Sequence, residues 1–93
     1  MTTHAIVNLH ITTPESLAAY REKAADALTK HGGAVLQASR ELEVIEGDTE
    51  LPDMAAILTF PDHAAGLAWI NDPELADVHA LRRGCGRSTI VLL

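Results

Sequence analysis

Apolar and polar residues alternate along the first segment of the chain. Ala5, Val7, Leu9 and Ile11 fall on one side of a period of two, and His4, Ile6, Asn8 and His10 on the other. This predicts a strand with one fully apolar face and one mixed face. The period then lengthens. Thr13-Pro14 pairs a hydroxyl N-cap with a proline at the first helical position, where its missing N–H costs nothing. Leu17, Tyr20, Ala24 and Leu28 recur at helical spacing, while Arg21, Glu22, Lys23, Asp26 and Lys30 take the other faces. Gly32-Gly33 ends this helix, because a left-handed C-terminal cap is easiest without a side chain.

Two short strand candidates follow, Ala34 to Ser39 and Leu42 to Glu46, as one bent strand or a small hairpin. A polar turn from Gly47 to Asp53 separates them from Met54 to Phe60, whose more apolar face carries Met54, Ala56, Leu58 and Phe60. Pro61-Asp62 opens a second helix that runs through Trp69. Asp72-Pro73 restarts it as a further segment ending near Gly84, and Ser88 to Leu93 closes the chain as a strand. The order is βαβ(β)βαβ. Two helices cannot cover both faces of a four-stranded antiparallel sheet, so they pack on one, giving an α+β, ferredoxin-like split βαβ subunit. The uncovered face is expected to carry Ile6, Val35 and Ile57. An exposed apolar patch of that kind marks an association surface, and pairing of two such faces would enclose a barrel.

At 93 residues and 47% hydrophobic, the chain reads as one domain spanning residues 1–93. A net charge of -6 and only three aromatic residues leave no basic groove for a phosphate backbone, so nucleic acid is disfavoured as a partner. Cys85 is the single cysteine, which excludes an intrachain disulfide. With no secretory signal pattern and no apolar run of bilayer length, the expectation is a cytoplasmic protein without a membrane partner.

The chemistry-bearing residues are few. His4, Asn8 and His10 lie on the mixed face of a central strand, as lining of a cleft or barrel, as a hydrogen-bonded interface set, or simply exposed at the strand ends. His10 is a candidate acid or base near neutral pH. His4 and His10 cannot share a metal within one chain, since six steps of about 3.3 Å separate them by roughly 20 Å. Glu46 precedes Gly47. Its carboxylate is either a general base with a pKa raised by an apolar cleft, or part of ordinary turn chemistry. Trp69 reads as core or cleft wall. His79 and Arg82, three apart, share a helix face, where they reach an anionic ligand, pair with Glu46, or stand in solvent. Cys85 follows a helix C-terminus, which does not activate a thiol, so it reads as a buried bystander. No serine triad, phosphate loop or metal-ligand cluster is present, so neither metal nor cofactor is expected.

Several words occur in a fixed order: Gly32-Gly33, Glu43-x-x-Glu46-Gly47, Pro52, Phe60-Pro61, Ala68-Trp69, Asp72-Pro73-Glu74 and Arg82. Together they resemble the dimeric α/β-barrel superfamily, and within it the uncharacterised family 1330 of the domains of unknown function. That resemblance implies a dimeric α/β barrel with a small-molecule cleft between sheet and helices. Relatives of the superfamily include muconolactone isomerase and quinol-type monooxygenases, which typically work without metal or organic cofactor. Three positions depart from the family pattern. Ile70 and Leu75 stand where aromatics are usual, and Asp53 where an arginine is common, so the cleft is expected to be more apolar and less suited to anions.

The sequence thus supports a homodimer, associated through the open sheet face, that binds a small apolar molecule. Its catalytic form would be a cofactor-independent isomerase or monooxygenase-like enzyme. There Glu46 or His10 would move the proton, Arg82 would stabilise negative charge, and Asn8, Trp69 and His79 would contact the ligand. The competing reading is a non-catalytic ligand-binding or association module.

Overall fold

A computed structural model describes every residue from Met1 to Leu93. The opening alternation becomes strand β1 (Thr3–Ile11), with Ala5, Val7 and Leu9 buried and Ile6 exposed. Helix α1 (Pro14–Lys30) begins at the proline, with Thr13 as its N-cap residue. The Thr13 hydroxyl makes no capping bond. Instead the N–H groups of Thr12 and Thr13 donate to the Cys85 carbonyl at 2.7 and 2.8 Å, which ties the start of α1 to the far end of the chain. At the other end Gly32 adopts a φ of 73°. Its N–H donates to the Thr29 carbonyl and that of Gly33 to the Leu28 carbonyl, at 3.0 and 2.8 Å. These backward bonds satisfy carbonyls that a helix end otherwise leaves unpaired.

Strands β2 (Ala34–Ser39) and β3 (Met54–Phe60) follow, then helix α2 (His63–Asn71). Asp62 caps α2 by accepting the Ala65 N–H at 2.8 Å. Asp72 ends it and accepts the Glu74 N–H, which starts a single 3-10 turn over Pro73–Leu75. Helix α3 (Ala76–Gly84) and strand β4 (Gly86–Leu92) complete the chain.

The sheet order is β2-β3-β1-β4, with every neighbouring pair antiparallel. Its inner face presents Ala5, Val7, Leu9, Ala56, Leu58 and Phe60 to Leu17, Ala27 and Leu28 of α1 and Trp69 of α2. The molecule measures 35 × 32 × 17 Å, so along its short axis there is room for two layers only. This is the ferredoxin-like arrangement, with helices on one face of the sheet and the other face uncovered. No helix is long and apolar enough to cross a membrane.

Two expectations are corrected. Leu42 to Glu46 is not a strand, and residues 40–53 hold no regular element. The outer edge of β2 stays unpaired, and Val44-Ile45 breaks the period of two, so the segment has no single apolar face to set a register against it. Ile45 is left 94% exposed. Val35 is also not on the open face. It stands opposite Leu58 on the helix side, and a register shift between Val35 and Gln37 sends Leu36 outward instead. A bulge inverts the side-chain alternation locally, which the sequence pattern alone does not reveal.

Candidate functional site

Leu75, just before α3, and His79 and Arg82 within it recur at helical spacing, and all three are buried. His79 is 1% exposed and Arg82 2%. The imidazole joins two groups. Its Nε2 lies 2.8 Å from the Trp69 carbonyl, and its Nδ1 lies 2.8 Å from Nη1 of Arg82. A carbonyl only accepts and a guanidinium only donates, so Nε2 carries the proton and Nδ1 presents its lone pair. His79 is therefore neutral. Burial holds it below its ordinary value of 6.5; the Trp69 carbonyl opposes that shift, and the Arg82 charge reinforces it.

The Arg82 guanidinium lies between two aromatic rings, 5.6 Å from the centroid of Tyr20 and 5.2 Å from that of Trp69. Attraction to the ring faces offsets part of its desolvation. The Trp69 ring also meets His79 edge-on at 4.7 Å and Phe60 at 5.6 Å. Arg82 Nε and Trp69 Nε1 are buried without hydrogen-bond partners.

Arg82 borders a cavity of about 270 Å³ between α1 and the sheet. Val7, Leu9, Leu28 and Leu58 form its apolar walls, and Tyr20 stands beside the guanidinium. Toward solvent it is bounded by Val35, Met54 and Arg21, whose Nη2 donates to the Met54 sulfur at 3.7 Å. A smaller cavity of about 170 Å³ lies against α2, lined by Phe60, Trp69 and Leu92 among other apolar groups. Trp69 thus borders one cavity and stacks on the arginine that borders the other.

All the candidates from the sequence but Glu46 fall into two groups on opposite faces of the sheet. Arg82, His79 and Trp69 come together beneath the helices. Asn8 lies on the open face opposite Ala55 and Thr89. His10, also on the open side of β1, approaches Glu50 at 3.3 Å, and Glu50 accepts from Arg87 at 2.9 Å. Glu46 is exposed in segment 40–53 and lines neither of the two cavities beneath the helices. The pairing of His79 and Arg82 with Glu46 is not formed, and neither residue stands in solvent. Tyr20 and Arg21 belong to the cavity although the sequence marked them only as helix positions. Cys85 is fully buried, and burial pushes its thiol up while the Arg82 charge opposes. No group of three or more His, Cys, Asp or Glu side chains that could hold a metal ion is present.

The fold and this cleft define an α+β ferredoxin-like protein with an apolar chamber between sheet and helices. The chain belongs to the family described as a domain of unknown function, DUF1330, which it matches over residues 2–93. It is similar in structure to a protein of unknown function from Rhodopseudomonas palustris, with a TM-score of 0.76 at 23% identity over 99% of this chain and 80% of that one. A dimeric ferredoxin-like protein of unknown function from Jannaschia sp. CCS1 gives 0.66 at 18% identity, over 100% and 98% of the two chains. SnoaB, a cofactor-independent oxygenase from Streptomyces nogalater, gives 0.61 at 15% identity, over 99% and 88%. At these identities the likeness is one of fold. No protein of curated function matches the sequence.

Proposed function

We propose that this protein binds a small, largely apolar molecule in the cavity between α1 and the sheet. The observation that carries this reading is the 270 Å³ chamber itself, with aliphatic walls and the buried Arg82 as a fixed polar point at one side. A concave apolar site with few, well-placed polar groups is the usual form of a small-molecule site. Binding rather than turnover is the better-supported form. Glu46 and His10, the residues that would move a proton, lie outside the chamber within one chain. His79 has both ring nitrogens engaged.

The same reading includes a homodimer formed through the open sheet face. Ile6, Leu36, Ile57, Val91 and Leu93 are all exposed there, at 36–63%. The Jannaschia protein of the same fold is described as dimeric. Asn8 and His10 would then belong to the subunit interface.

Titration with octanol tests the binding site. Methyl resonances of Val7, Leu9 and Leu58 should shift, and Ala24→Phe, which fills the chamber from α1, should abolish those shifts while the protein stays folded. Shifts confined to Ile6, Ile57 and Val91, or an unchanged response in the Ala24→Phe protein, would overturn the assignment.

A further inference from the structure

We infer that the molecule held in this chamber is an amphipathic carboxylate, bound with its anionic end inward on Arg82. The inference rests on the chamber being a binding site and adds the chemical class and orientation of its occupant. A guanidinium stays charged in proteins, and a charge taken out of water is ordinarily matched by a counter-charge. Arg82 is 2% exposed, and none of the chain's ion pairs involves it. Its partners are the neutral His79 ring and the faces of Tyr20 and Trp69, and its Nε has none.

A positive charge without a counter-charge from the chain therefore borders an apolar chamber. The walls accept hydrocarbon, and the guanidinium offers a planar fork of donors that matches a carboxylate. Sugars and multiply charged anions fit poorly, because the aliphatic walls cannot satisfy their remaining polar groups. His79 acts on the ligand through Arg82: its lone pair holds Nη1 in place, while Nε has no partner within the chain.

Orientation follows from exposure. A carboxylate left at the mouth would meet Arg21 in water, where an ion pair is worth little. Turned inward, it meets a desolvated cation, where the attraction is far stronger. Arg21 adds positive potential at the entrance and favours the approach of an anion.

Octanoate and octanol carry the same chain length with different heads, so comparing them by calorimetry isolates the carboxylate. Octanoate should bind about tenfold or more tightly than octanol, the factor expected of a charge-assisted hydrogen bond. It should also shift the Arg82 Nε–H resonance, which needs no variant to observe. In Arg82→Met the preference should reverse, and in Arg82→Lys, which keeps the charge without the fork, it should be weakened. Arg21→Met should slow octanoate association and reduce the preference only slightly, by less than Arg82→Lys does. Octanol binding as tightly as octanoate would overturn the inference and leave the chamber as a site for neutral molecules. Loss of the preference in Arg21→Met alone would overturn the inward orientation. Binding of neither probe would remove the chamber as a site, and this inference with it.

Discussion

His79 and Arg82 show how a polar pair can occupy core positions. Each is buried because each has a specific partner: the carbonyl of Trp69 for the imidazole, and the imidazole with two aromatic faces for the guanidinium. His79→Ala removes the link and leaves a charged donor and a carbonyl unpaired. It should cost about 2–4 kcal/mol in urea unfolding, given the usual penalty for such orphaned groups. The pH dependence has a definite sign. The unfolded chain binds a proton near 6.5, whereas native His79 resists it. Its contribution is therefore complete above 6.5 and is lost as pH falls from there toward the lower native value. The His79→Ala protein should lose that part of the slope; a slope equal to that of the native protein would contradict the assigned neutral tautomer. The burial of this pair was partly legible. Leu75, His79 and Arg82 recur at helical spacing, but two of the three are polar, and polar residues at such spacing usually face water. Only the partners revealed by folding reverse that expectation.

The helices are held together by polar ties at their ends as well as by the core. Asp72, at the junction of α2 and the 3-10 turn, accepts from Lys30 at 2.7 Å and from His31 at 2.8 Å, at the C-terminal end of α1. Its carboxyl is held well below the ordinary 3.8, chiefly by the hydrogen bond from Lys30, then by that from His31. A depressed carboxylate contributes above its unfolded value and loses that contribution as pH falls below it. Asp72→Asn should therefore lower stability at neutral pH and flatten acid unfolding below 3.8. An unchanged acid transition would show that the tie does not contribute. Most elements were legible in the sequence. The alternation through β1, the Gly32-Gly33 stop and the Asp72-Pro73 restart each rest on local chemistry. Leu42 to Glu46 was not, because its apolar residues suggest a strand while Val44-Ile45 breaks the alternation that would set a register.

Across the whole molecule, the two-layer fold leaves one sheet face bare, and that is the face proposed to take a second copy. The apolar row across that face joins Ile57, Ile6 and Val91, paired in register across the three adjacent strands β3, β1 and β4. Ile57→Asp would place two carboxylates across a two-fold interface without partners. Light scattering should then show a dimer for the native protein at micromolar concentration and a monomer for the variant. A native protein that is monomeric under those conditions would remove the dimer from the account. The bare sheet face was legible from the number of helices, whereas its composition was read imperfectly, because the bulge after Val35 exchanges that residue for Leu36.

The central claim is that the chamber beside Arg82 is where a ligand sits. A crystal structure of the protein with octanoate tests it most directly. The account predicts density for the chain between α1 and the sheet, among Tyr20, Leu28 and Leu58, with the carboxylate within hydrogen-bonding distance of the Arg82 guanidinium. Density in the smaller cavity beside Trp69, or on the open face over Ile6 and Ile57, would contradict it.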